Sequence, residues 1–153
     1  VLVPDTPLYV ILCERRIRRK DGKMENFTLV RPEHLNHHGY LFGGVLLKWV
    51  DEYAWLVASR DFTGCSLVTV GMDAITFRKR VENGSILRFS ILPQHVGTTS
   101  VRYGVDIYAD APGAIREEHV FSTTITFVNL DAAGVKRPLP RPDRLRSAPA
   151  TLL

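Results

Sequence analysis

Apolar and polar positions change period along the chain, and the changes predict one long helix among several strands. Leu8 to Ile17 runs apolar first and charged later, as expected of a strand at a sheet edge where charge is tolerated. Asp21-Gly22-Lys23 reads as a turn and Met24 to Val30 as a second strand, which Pro32 ends. Glu33 to Leu41 is a loop rich in His and Asn. Phe42-Gly43-Gly44 then opens a stretch, Val45 to Ser59, that contains neither Gly nor Pro. At 100° per residue, Leu47, Val50, Ala54, Val57 and Ala58 fall on one side of a helix, with Lys48, Glu52 and Ser59 on another. Trp49, Tyr53 and Trp55 fill its flanks, and Asp51 sits on the apolar stripe between Leu47, Ala54 and Ala58.

After Asp61 to Gly64 the period becomes extended. Leu67 to Phe77 carries apolar groups on both faces and predicts a central strand covered on each. Ile86 to Leu92 alternates, and so do Val101 to Tyr108 and Val120 to Phe127. Turns at Glu82 to Ser85 and Gly97 to Thr99 and a loop at Ala111 to Glu118 separate these runs. No strand-helix-strand unit repeats, so a doubly wound fold is disfavoured. The economical arrangement is α+β, an antiparallel sheet with one hydrophobic helix packed on it. Residues 1–23 are expected to form an N-terminal strand and turn, 24–141 the main domain, and 142–153 an irregular tail.

Composition narrows the function classes. A hydrophobic fraction of 45% fits a folded core and argues against disorder. The net charge of +4 fits an anionic ligand or an ordinary surface. The densest basic block, Arg15-Arg16-Ile17-Arg18-Arg19-Lys20, lacks interleaved aromatics and matches no zinc finger or helix-turn-helix, so nucleic acid is not an expected partner. No stretch is long and apolar enough to span a membrane. Val1 to Leu12 is interrupted by Pro4, Asp5 and Pro7 and does not read as a signal peptide. Cys13 and Cys65 form no CxxC pair, which points to reduced thiols and a cytoplasmic location. His34, His37, His38, His95 and His119 have no metal-ligand spacing, and no metal is expected. There is no G-x-S-x-G elbow, Rossmann fingerprint or P-loop.

From Asn36 to Asp51 the sequence becomes specific. Asn36-His37-His38-Gly39, Leu41-Phe42-Gly43-Gly44 and Trp49-Val50-Asp51 occur in that order. Val68-Thr69 with Asp73 and Phe77, then Gly84, Gly97-Thr98-Thr99-Ser100, Thr126-Phe127-Val128 and Pro138-Leu139-Pro140 follow. This ordered set resembles the acyl-CoA hydrolase family with the hotdog fold, both its small bacterial YciA-like members and the domains of the cytosolic and brain acyl-CoA hydrolases. The likeness runs from about Met24 to Arg141. It departs at His37 and His38, where the family has smaller or amide residues.

The resemblance implies a curved antiparallel sheet wrapped around one central helix, and an acyl-CoA thioesterase with no cofactor beyond the CoA of its substrate and product. It also implies a homodimer of hotdog domains, often assembled into a homohexamer, with sites at the dimer interface. It places the catalytic acid at Asp51. Independently, a carboxylate on an apolar stripe is costly unless it is bonded, and such cost is commonest at working sites. Asp51 would activate water or attack the thioester directly. Asn36 would orient water or thioester; a plain Asx turn is its structural alternative. Gly43 and Gly44 would present helix N-terminal N–H groups to the thioester oxygen, or would only let the helix pass close beneath the sheet. Thr69, Thr99 and Ser100 are candidates for pantetheine or water, and Arg78, Lys79, Arg80 and Arg137 for the CoA phosphates. The competing readings are a dehydratase-type hotdog enzyme on CoA or carrier-protein thioesters and a non-catalytic acyl-CoA binder.

Overall fold

The computed structural model describes residues 22–140. The expected Leu8 to Ile17 strand, the basic block, Cys13 and the chain beyond Pro140 lie outside the described residues. β1 (Met24–Leu29) is followed by a 3₁₀ turn (Pro32–His34) and by α1 (Gly43–Asp61), the 19-residue helix expected from the uninterrupted stretch. Four strands complete the chain: β2 (Leu67–Phe77), β3 (Ile86–Val96), β4 (Ser100–Asp110) and β5 (Glu118–Asn129). They form one antiparallel sheet in the order β1-β3-β4-β5-β2. The helix packs on a single face of this sheet, which is the α+β hotdog arrangement.

The alternation of β3, β4 and β5 explains that packing. Leu87, Phe89 and Ile91 of β3, Val101, Tyr103, Val105 and Ile107 of β4, and Phe121, Ile125 and Phe127 of β5 are buried beneath the helix. The helix answers with Leu46, Trp49, Val50, Ala54, Val57 and Ala58. Trp49 thus belongs to the core rather than to a flank, and Leu47 is only half-buried. Side chains at the helix flanks fix its position across the sheet. The hydroxyls of Tyr53 and β1 Thr28 share a hydrogen bond of 2.5 Å. On the opposite side, Trp55 Nε1 donates to the Leu67 carbonyl of β2 at 3.0 Å. At the helix C-terminus the buried Asp61 accepts a 2.5 Å bond from the buried Tyr103 hydroxyl. Such a partner matters for a buried group like Asp61, because an unpaired one is expensive.

Two expectations are corrected. β3 continues through Pro93 to Val96, four residues beyond the alternating run. Proline is tolerated there because the β1 pairing ends at Met24↔Ile91, leaving one side of β3 with no ladder to donate to among the described residues. β2 is not central within one chain. Among the described residues it pairs with β5 alone and forms the sheet edge, with Val68, Val70, Ile75 and Phe77 exposed. Its ladder shifts register between Asp73 and Thr76, where Ala74 holds a positive φ of 52°. A long apolar edge strand left open is a template for pairing with another chain.

Candidate active site

Asp51 lies in the middle of α1 and turns its half-buried side chain toward β2. Thr69 Oγ1, on the facing strand, donates to Asp51 Oδ1 at 2.6 Å. Among the described residues no donor is recorded for Oδ2. A carboxylate fixed by one oxygen and open at the other can accept a proton from a water held there. Thr69, expected as a candidate contact for pantetheine or water, bonds Asp51 in the structure. Their separation of eighteen residues gives no local signal of that contact.

Asn36 closes the loop before the helix. Its Oδ1 accepts from the backbone N–H of His38 at 2.9 Å and of Tyr40 at 3.2 Å. Its own N–H donates to the Tyr40 carbonyl at 2.7 Å. Gly39 completes the turn at φ 82°, a region that side-chain-bearing residues seldom adopt. The Asx-turn alternative is therefore present in the structure. It also orients the amide, because two N–H groups on Oδ1 leave Nδ2 directed away as a donor. The loop is pinned by Leu41 N–H to the Val81 carbonyl and by His34, which meets the Trp49 ring edge-on at 4.8 Å. His37 and His38 are exposed and lie against each other, with ring centroids 3.9 Å apart.

Gly43 and Gly44 open α1 without a side-chain cap on Phe42. Helix geometry leaves their N–H groups without intrahelical acceptors. A Cβ on Gly43 would sit 3.3 Å from the Phe77 ring, and one on Gly44 would collide with Phe42 at 2.6 Å. Close packing and open donors therefore coincide. Gly43 also borders an open cleft of about 320 Å³ with Leu46, Phe77 and the run Arg78 to Val81. In that run Arg80 stacks on the Tyr40 ring, 4.6 Å from its centroid. Arg78 donates to Ser122 Oγ at 3.2 Å, and Lys79 pairs with Glu118 at 2.9 Å.

The remaining candidates lie elsewhere in the chain. Thr99 and Ser100 form the β3–β4 turn, where the Thr99 carbonyl accepts from Asn129 N–H at 2.9 Å. Asn129 pairs with Leu67, so this turn is at the start of β2. Arg78 follows the end of β2, eleven residues or roughly 35 Å of strand away. The Arg137 guanidinium is held by Asp131, Nε at 2.8 Å and Nη2 at 2.6 Å. The N–H of Val135 first, and then Arg137 and the N–H of Ala133, hold the Asp131 carboxyl below the usual carboxylate range against the opposing effect of burial. Among the described residues no group of three His, Cys, Asp or Glu side chains is arranged to hold a metal ion.

One distance within the chain is decisive for the chemistry. Eight residues of helix separate Gly43 from Asp51, a rise of roughly 12 Å. A thioester carbonyl hydrogen-bonded at Gly43 would therefore lie more than two helical turns from the Asp51 backbone of the same chain.

Comparison with protein families matches the thioesterase superfamily over residues 38–115, just over half of the 153 residues. The chain belongs to the hotdog-fold acyl-CoA thioesterase superfamily. Within that superfamily it is 30% identical over 122 residues to the uncharacterized acyl-CoA thioester hydrolase YkhA of Bacillus subtilis, covering 80% of this chain and 70% of that protein. It resembles an acyl-CoA hydrolase from Staphylococcus aureus solved with butyryl coenzyme A, coenzyme A and coenzyme A disulfide. That match has a TM-score of 0.70 at 30% identity, over 79% of this chain and 73% of that one. Variants of the same enzyme with alanine in place of an aspartate, a threonine or an asparagine match as well. The hexameric thioesterase y2039 from Yersinia pestis matches with a TM-score of 0.70 at 27% identity, over 75% of this chain and 93% of that one. The chain spans less than a third of the length of the mammalian acyl-CoA thioesterases it matches. Among the described residues no helix is long and apolar enough to cross a membrane.

Proposed function

We propose that this chain hydrolyses fatty acyl-CoA to free fatty acid and CoA, with Asp51 of one chain and Asn36, Gly43 and Gly44 of a second chain forming each site. The observation that carries the reading is the half-buried Asp51 carboxylate, held on one oxygen by Thr69 and open on the other. The related solved enzyme adds support. Asn36 and Asp51 lie fifteen residues apart, as do the asparagine and aspartate replaced in the Staphylococcus aureus variants.

Asp51 Oδ2 takes a proton from water as the water oxygen attacks the thioester carbon. The oxyanion forms against the N–H groups of Gly43 and Gly44, where the helix dipole favours negative charge, and Asn36 Nδ2 donates to the thioester or water. The C–S bond then breaks, and the proton passes from Asp51 to the departing thiolate, giving acid and thiol. Attack by the Asp51 carboxylate itself, through a mixed anhydride, balances equally and is separated by oxygen-18 incorporation into Asp51 in a single turnover.

Antiparallel pairing of two β2 edges supplies the geometry that one chain lacks. Gly43 packs on Phe77 at the end of β2, whereas Asp51 bonds Thr69 near its start. Reversing one strand against the other places the Gly43 end of each chain beside the Asp51 of its partner. The same reversal brings Arg78, Lys79 and Arg80 of one chain toward Thr99 and Ser100 of the other, a bipartite surface for CoA. Assembly of three such dimers gives the hexamer, and a cytoplasmic location fits the chemistry.

The direct test is thiol release from short-, medium- and long-chain acyl-CoAs. Turnover on at least one length class is expected, and no turnover by a folded oligomer contradicts the proposal. Thr69 is a positioning residue. Thr69→Val is expected to lower kcat about tenfold with little change in KM, the worth of one hydrogen bond to a charged group, and Thr69→Ser to restore it. Loss of folding in both variants would mark a purely structural role.

A further inference from the structure

The loop that carries Asn36 is closed on Tyr40. Asn36 N–H donates to the Tyr40 carbonyl at 2.7 Å, and Tyr40 N–H donates back to Asn36 Oδ1 at 3.2 Å. Leu35 and Leu41 pair outside them as an antiparallel bridge. The other donor to Oδ1, His38 N–H, comes from the exposed tip of the loop. Tyr40 therefore grips Asn36 by main chain and side chain together, and the direction of Asn36 Nδ2 follows from where Tyr40 sits.

Tyr40 is held in turn by the run that leaves β2. Glu82 bridges it, and Leu41 N–H donates to the Val81 carbonyl at 2.9 Å. The Arg80 guanidinium lies over the Tyr40 ring, 4.6 Å from its centroid. Arg80 has no carboxylate partner among the described residues, whereas its neighbour Lys79 pairs with Glu118. β2 itself ends at Phe77, whose ring packs against Gly43. One short run thus touches both the helix N-terminus and the Asn36 loop. We infer that Tyr40 is a positioning residue for Asn36 and that Arg80 acts through Tyr40, the stack fixing the Asn36 amide relative to the N–H groups of Gly43 and Gly44. The inference rests on the hydrolase reading above and assigns Arg80 a role independent of the CoA phosphates.

A donor aimed at developing charge stabilises a transition state only as far as it is fixed beforehand. Asn36 stands on a loop rather than on the helix, so its anchor decides how well it is fixed. Glu82 and Val81 hold the main chain of the loop, and main-chain bonds survive a change of side chain. The Tyr40 ring and the Arg80 guanidinium are the side-chain part of the anchor. Loosening that part displaces Asn36 without removing a contact to substrate, which lowers kcat more than it raises KM. An Arg80 that served only as a phosphate ligand would do the reverse. It would raise KM, and only for substrates that carry the nucleotide.

The test compares acyl-CoA with the matching acyl-pantetheine, which lacks the nucleotide, on wild type, Tyr40→Ala, Tyr40→Phe, Arg80→Ala and the double variant Tyr40→Ala with Arg80→Ala. Arg80 is exposed and Tyr40 half-buried, so all are expected to fold, with circular dichroism and mass in solution as the check. Tyr40→Ala is expected to lower kcat about tenfold on both substrates with KM nearly unchanged, and Tyr40→Phe to restore it. Arg80→Ala is expected to lower kcat about two- to fivefold, on acyl-pantetheine as on acyl-CoA, the worth of an exposed cation–π contact. The double variant should be no slower than Tyr40→Ala alone, because Arg80 then has no ring to hold. An Arg80→Ala that raises KM for acyl-CoA only and leaves acyl-pantetheine kinetics unaltered overturns the inference, and so does a double variant that loses the product of the two single losses. Failure of a folded Tyr40→Phe to restore kcat also overturns it, since the hydroxyl rather than the ring would then be the working part. If Tyr40→Ala does not fold, Arg80→Ala on acyl-pantetheine decides alone. Each of these failures leaves the hydrolase reading intact. A wild type that turns over neither substrate overturns the hydrolase reading and the inference with it.

Discussion

Asp51→Asn is expected to lower kcat for acyl-CoA hydrolysis about a hundredfold or more while the oligomer stays intact. The size follows from what the substitution removes. An amide keeps the shape of the carboxylate and can still accept from Thr69 Oγ1 at the position now 2.6 Å away. It cannot take a proton from water, and a positioned general base contributes roughly 100- to 10,000-fold. Little change in KM is expected, because in the proposed mechanism Asp51 acts on the attacking water rather than on the CoA moiety. Steady-state thiol release, with mass measured in solution, checks both halves. A variant as active as wild type would keep the enzyme and remove Asp51 from the mechanism.

The second large effect concerns the open edge of β2. Val70 and Ile75 are 58% and 44% exposed in the single chain, so replacing them with lysine removes little intrachain packing. In a pair of antiparallel β2 strands the same lysines bring like charges together on both chains, which opposes strand pairing. Val70→Lys combined with Ile75→Lys is therefore expected to give folded monomers with turnover reduced about a hundredfold or more. Sedimentation velocity and circular dichroism read the assembly and the fold separately. A monomer with full activity would show that one chain holds a complete site.

The sequence makes the elements legible and the contacts between them much less so. A stretch with no Gly or Pro and an apolar stripe marks α1, and strict alternation marks β4. Both are local patterns, readable without knowing what covers them. β2 shows the limit. Apolar groups on both faces look alike whether the cover is the chain's own layers or a second chain, so an edge strand reads as a central one. Pro93 gives another case, because its tolerance in β3 depends on where β1 stops pairing. Asp51 is conspicuous as a carboxylate on an apolar stripe. Its bond to Thr69 joins separate elements and has no periodic signature. The basic candidates illustrate the same point. Arg78, Lys79 and Arg137 look equivalent to Arg80 in sequence, yet Ser122, Glu118 and Asp131 engage the first three.

Complementation between two inactive variants tests the two-chain site most directly. Asn36→Ala and Asp51→Asn chains are purified separately, mixed in equal amounts, dissociated and reassembled, and assayed for thiol release from acyl-CoA. Half of the random dimers are mixed, and each mixed dimer has one site with both residues intact. Recovery of about a quarter of the wild-type rate is expected. No recovery from reassembled mixed oligomers, with wild type active under the same treatment, would contradict the two-chain site and return the whole of it to a single chain.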